Sequence, residues 1–112
     1  MAVITDEFMR EMLAKTRNYS VVILKNVSTP PGPENMKVIW EHARRNFALR
    51  AEGELSIVCP IADGSGVSGI GIFNADVETT KRIMDEDPAV KAGIFLYEVH
   101  PCRSFPGDSL PG

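Results

Sequence analysis

Val21, Val22, Ile23 and Leu24 follow one another without a polar interruption, and most of them branch at Cβ. A short apolar run of this kind predicts a strand over Tyr19 to Lys25. Before it, Phe8, Met9, Met12 and Leu13 recur at helical spacing. They predict an amphipathic helix over Thr5 to Asn18, with Thr5 as cap and Asp6 and Glu7 suiting its first turn. After the strand, Asn26 to Pro33 is a Pro/Gly loop. A long helix over Glu34 to Glu52 follows, with Met36, Ile39, Trp40, Ala43 and Phe47 forming one stripe expected to be buried. Gly53 stops it as a C′ residue.

The pattern then switches back to strands. Glu54 to Ile61 is the second, ended by Pro60 and the turn Asp63-Gly64-Ser65-Gly66. Val67 to Ala75 is the third, with Ile70, Ile72 and Phe73. Asp76 to Asp85 is a second core helix with Val77, Ile83 and Met84 available for burial, and Asp87-Pro88 breaks it. Gly93 to His100 is the fourth strand, and Pro101 onward lacks periodicity and is expected to dock loosely or reach toward a partner. The core order is β-α-β-β-α-β. This is the ferredoxin-like α+β arrangement, an antiparallel sheet with two helices on one face. The expected organisation is a helical extension over 1–18, a domain over 19–103 and a tail over 104–112.

The other face of that sheet carries weight. The first strand is apolar on both sides, and the fourth offers Phe95, Tyr97 and Val99 on one side and Ile94 and Leu96 on the other. Two helices cover one face, so the second must be covered by the leading helix or by another subunit. A chain of 112 residues with 44% hydrophobic content builds one modest core, which association would help. A net charge of −3 without a basic run argues against a nucleic-acid partner. No apolar run approaches the roughly 20 residues needed to span a bilayer, and the acidic start does not read as a signal peptide. Cys59 and Cys102 lack zinc or redox spacing and read as free thiols of a cytoplasmic protein.

Two segments then carry a resemblance. Ala51-Glu52-Gly53-Glu54-Leu55 followed by Pro60-Ile61-Ala62-Asp63, and above all Asp87-Pro88-Ala89-Val90-Lys91-Ala92-Gly93, resemble passages of the YciI-like (YCII-related) proteins over about residues 19 to 103. His42 matches a helical histidine of that family. The resemblance implies a dimeric α/β-barrel version of the ferredoxin-like fold. It also implies a His/Asp site on His42 and Asp87, and activities of lyase or isomerase type such as dehydrochlorination of a chlorinated hydroxyhydroquinone. The leading helix, the tail after Arg103, and Ala43 where the family often has leucine depart from the pattern, so no substrate carries over.

Read from the residues, His42 lies about 60° round the helix from Ile39, on the flank of the stripe shared by Val38 and Leu49. Were Asp87 to come near, its carboxylate would fix the ring tautomer and stabilise the imidazolium, making a general base near neutral pH. Pro88 would hold the helix end rigid and keep Asp87 aimed. The competing reading makes His42 a hydrogen-bonded structural residue and Asp87 a cap or turn former.

Other positions carry weaker signals. Asp63 heads a Gly-rich turn that reads as a hairpin loop or as a pocket-rim carboxylate. Gly69 and Gly71 alternate on one strand face and admit close packing or a ligand. The substrate-contacting candidates are Asp63, Gly69 and Gly93. A metal site would require His42, His100, Asp87 and Glu98 to converge, and neither metal nor cofactor is expected. Cys59 reads as inert strand packing, with Cys102 the more exposed thiol. Two functions stand beside each other: a cofactor-free lyase or isomerase acting on a small organic molecule, and a non-catalytic small-ligand or assembly module. Both expect a homodimer or higher homo-oligomer.

Overall fold

A computed structural model describes residues 1–28 and 31–112. Part of the loop expected over Asn26 to Pro33 therefore lies outside the described residues. The elements are α1 (Asp6–Ala14), β1 (Arg17–Asn26), a 3-10 turn (Pro33–Asn35), α2 (Met36–Ala51), β2 (Leu55–Pro60), β3 (Val67–Phe73), α3 (Val77–Asp85), α4 (Pro88–Lys91) and β4 (Phe95–Ser104). The strands form one antiparallel sheet in the order β2-β3-β1-β4. This is the ferredoxin-like α+β arrangement, with the first strand of each βαβ half at the centre or beside it.

Three elements differ from the periodicity reading. The leading helix ends at Ala14, because Arg17 and Asn18 are drawn into β1 by pairing with Ser104 and Arg103 of β4. For the same reason β4 runs past His100 and through Pro101 to Ser104. Proline is tolerated there because β4 is an edge strand. Beyond it the chain turns back, and Phe105 and Pro106 form a hollow with Tyr19, Val21 and Ile57. The third difference is α4. Asp87-Pro88 does break the preceding helix, but Pro88 then opens a new turn of helix, with Asp87 as its cap.

Alternation along β1 sorts the sheet into two faces. Ser20, Val22 and Leu24 point inward and are buried. With Leu49, Leu55, Phe73, Met84, Ala89, Ile94 and Phe95 they make the core. Burying a ring such as Phe73 stabilises the fold by about 2–3 kcal/mol. Ile94 joins this core instead of the outer face, because it sits in the turn before β4, where its amide donates to the Ala89 carbonyl at 2.9 Å. Ser20, buried in the same layer, satisfies its hydroxyl by donating to the Ala75 carbonyl at 2.8 Å. The outer face presents Val21, Ile23, Ile70, Ile72 and Leu96, and α1 does not cover it: its residues are all exposed except half-buried Met12.

The stripe expected on α2 is also only half right. Ile39 and Ala43 are half-buried, whereas Met36, Trp40 and Phe47 stand exposed. The side that meets the sheet is the flank, where His42 and Leu49 are buried. Hydrophobic periodicity marks an apolar stripe correctly, but a helix with apolar residues on two sides leaves the choice of side to packing. Gly53 and Gly93, at φ +81° and +74°, end α2 and α4 in the same way. In each case the amide one residue further on, Glu54 or Ile94, reaches back to a carbonyl of the last turn.

Candidate active site

His42 is carried inward by α2, and Asp87 by the break between α3 and α4. Their side chains meet with His42 Nδ1 2.7 Å from Asp87 Oδ1, and the pair is buried. Asp87 is fully shielded, and its second oxygen accepts from the amides of Ala89 at 3.0 Å and Val90 at 3.2 Å. The cap and the ion-pair partner are thus the same carboxylate, one oxygen for each task. Burial is the strongest influence on this carboxyl and raises its pKa. The hydrogen bond and charge of His42, with the two amides, outweigh it and hold the group below its usual range. Arg45 stands on the same side, its Nη1 3.8 Å from Asp87 Oδ1.

A carboxylate can only accept, so the ring atom facing Asp87 is an N–H. This leaves Nε2 as the basic atom of the neutral ring. Asn46, one helical turn on, places its amide nitrogen 3.2 Å from Nε2 and donates to it. The Phe95 ring meets the imidazole edge-on, at a centroid separation of 5.1 Å and an interplanar angle of 68°. The ring is therefore held on both nitrogens and against one side, which leaves it little rotational freedom.

His42 and Asn46 line a cleft of about 220 Å³ between α2 and the sheet, while Asp87 stands behind the histidine. Most of the remaining wall is apolar, with Ile39, Phe47, Val58, Met84 and Phe95 among it. Gly69 and Gly71 lie on this wall and face inward opposite Leu24 and Val22. A Cβ on Gly71 would come 3.1 Å from Leu55 Cδ1 and 3.4 Å from a Phe73 ring carbon, so its absence helps to keep the cleft open. Such a site can take an apolar body and present it to one base and one amide.

Of the positions singled out from sequence, His42, Asp87 and Gly69 come together here. Asp63 and Gly93 do not line the cleft. Asp63 caps its own turn, accepting from the Ser65 amide at 3.0 Å, and that hydroxyl-bearing residue lowers its carboxyl pKa. Gly93 serves the end of α4. His100 and Glu98 pair at 3.2 Å on the opposite face of the sheet, so the four candidate metal ligands do not converge. Among the described residues no three His, Cys, Asp or Glu side chains cluster as metal ligands. The thiols are reversed from expectation: Cys59 is exposed and Cys102 half-buried, because Cys59 sits on the bare outer side of an edge strand, opposite Ile70. Asn46 and Phe95 were missed by sequence reasoning. The i, i+4 spacing of His42 and Asn46 was the one available signal.

Comparison with known proteins supports the fold. No family model and no curated protein matches the chain. Among solved structures, the chain is similar to the 5-chloro-2-hydroxyhydroquinone dehydrochlorinase of Burkholderia phenoliruptrix AC1100 in complex with 2,5-dihydroxybenzoquinone. The match has 17% identity and a TM-score of 0.50, and it covers 73% of this chain and 90% of that one. At that identity the likeness is one of fold. No helix among the described residues is long and apolar enough to cross a membrane. The α+β ferredoxin-like fold shared with a small-molecule enzyme is therefore what the chain is similar to.

Proposed function

We propose that the protein is a small cofactor-free enzyme of lyase or isomerase type, with His42 as acid/base and Asp87 as the group that orients it. One observation carries the reading: a histidine with Nδ1 held by a buried carboxylate lines an apolar cleft. As the Asn46 amide gives up its hydrogen bond to Nε2, the proton next to a carbonyl, or on a phenol-like hydroxyl, passes to that nitrogen. The imidazolium so formed is paired with the Asp87 carboxylate, which needs no further reorganisation. The electron pair left on the substrate either expels a leaving group or takes the proton back at another carbon. Asn46 suits both states, since its amide nitrogen donates to neutral Nε2 and its oxygen, after rotation, accepts from protonated Nε2.

The substrate class is a small organic molecule with an apolar body and an acidic C–H or O–H. The resemblance to YciI-like proteins, which rests on the Asp87 to Gly93 segment, agrees with this. Hydroxylated quinones and hydroquinones, the ring type named for the structural neighbour, form a first set of probes. The working unit of this proposal is a homodimer in the cytoplasm, formed by stacking the outer sheet faces into a barrel. The exposed Leu96 and Ile70 on that face support it, and the two unbonded cysteines agree with the compartment.

The test is deuterium exchange or turnover of the probes, followed by NMR, in the native protein, His42→Gln and Asp87→Asn. General acid–base catalysis contributes about 10²–10⁴-fold, so a loss of that size is expected in His42→Gln. Turnover persisting in both variants would reject the pair. A probe that binds the native protein without exchange or turnover would favour the binding-module reading.

A further inference from the structure

Two helices of this chain leave an apolar stripe in solvent, and their charges are opposite. On α2, Met36, Trp40, Ala43 and Phe47 fall within about 60° of the circumference, at 100° per residue. Met36, Trp40 and Phe47 are 56%, 67% and 61% exposed. Lys37 and Arg44 flank this ridge on one side and Arg50 on the other. On α1, Phe8, Met9, Met12 and Leu13 form a stripe with Asp6 at one edge, Arg10 behind it on the same side, Glu11 on the other side and Glu7 at the back. Asp6 and Glu7 also suit the start of that helix, which Thr5 caps through the Phe8 amide.

An amphipathic helix with an unburied apolar face is stable when something covers that face. The helix is not folded onto its own domain. The radius of gyration is 16.3 Å, against about 13 Å for a compact chain of this length. The extents are 54 × 30 × 24 Å.

We propose that α1 is an exchanged arm: it lies on the Met36–Trp40–Phe47 ridge of α2 in a second copy of this chain. The acidic edges of α1 then face Lys37, Arg44 and Arg50. Phe47 belongs both to this ridge and to the wall of the cleft, so the docked arm closes the cleft rim of the neighbouring copy. The contact uses neither the outer sheet face nor the His42 and Asp87 side chains, and it adds a second connection between copies.

Trp40 is the sole tryptophan of the chain and reports on the contact directly. In the full chain at micromolar concentration, Trp40 emission is expected at shorter wavelength and protected from acrylamide. The protection should weaken on dilution and at high salt. Removing residues 1–14, or the replacement Phe8→Asp, should shift the emission to longer wavelength and restore quenching. Neither change disturbs the core, because α1 contributes nothing to it. In a Cys59→Ser, Cys102→Ser background, Met9→Cys in one tagged copy should form a disulfide with Lys37→Cys in a differently tagged copy. Equal quenching of Trp40 in full and truncated chains would overturn the proposal, as would a crosslink formed only within one chain. Sedimentation of the truncated chain reads the sheet-to-sheet dimer separately, since that association does not use α1.

Discussion

The chain holds two histidine–carboxylate pairs, one on each side of its sheet. His42 and Asp87 meet at 2.7 Å in a buried layer, whereas His100 and Glu98 meet at 3.2 Å on an exposed face. The residue types are the same and the consequences are not. In the buried pair each polar atom has an assigned partner, the ring is packed against Phe95, and water does not screen the carboxylate. In the exposed pair Glu98 is shared with Lys25, and solvent reaches all three side chains. The difference shows that pairing alone does not make an acid–base site. Burial turns a contact into a fixed geometry and raises the cost of losing it.

The strongest way to break the comparison is to remove each carboxylate. Asp87→Ala leaves His42 without its partner and the Ala89 and Val90 amides without their acceptor. Breaking a buried pair on one side costs about 3–5 kcal/mol, and urea denaturation should show a loss of that order. Glu98→Gln should leave the same denaturation curve unchanged. An equal loss in both variants would remove the distinction between the two faces.

Acid sharpens the contrast next. The Asp87 carboxyl lies below its reference value of 3.8 in the folded protein, so the stability it contributes is complete above that value. It is lost as pH falls through the depressed folded value. The native protein should therefore lose stability in strongly acidic solution more steeply than Asp87→Asn, as followed by circular dichroism along a pH series. Parallel curves would show that the pair is not the group being titrated.

A smaller effect is expected from Gly71→Ala. Its Cβ would press on Leu55 and Phe73, both of which are side chains with some freedom to move. Overpacking of this sort costs about 1–3 kcal/mol, and it narrows the cleft. Weaker binding of a ring-sized probe by calorimetry, with the fold intact by circular dichroism, is the expected result. The mildest change is Asn46→Ala, which removes the amide from Nε2 while sparing Nδ1. Its expected signature is a shifted pH profile of exchange or turnover, with stability altered by about 1 kcal/mol.

Several of these features were legible in the chain before it folded. The apolar run at Val21 to Leu24, the helix stop at Gly53 and the break at Asp87-Pro88 are local signals. Each is set by backbone sterics or by a side-chain periodicity that holds wherever the segment lies. The β-α-β-β-α-β order follows from these signals, and the pairing of His42 with Asp87 was reached through a family resemblance carried by the same segment. Only the tertiary structure decided which side of α2 faces the sheet, because Met36, Trp40 and Phe47 and the flank of His42 and Leu49 both offer apolar contact. Long-range pairing with Ser104 and Arg103 likewise drew Arg17 and Asn18 into β1 and carried β4 through Pro101. The same holds for the separation of His100 and Glu98 from His42 and Asp87: strand alternation assigns faces, but the layer above each face is chosen by the whole chain.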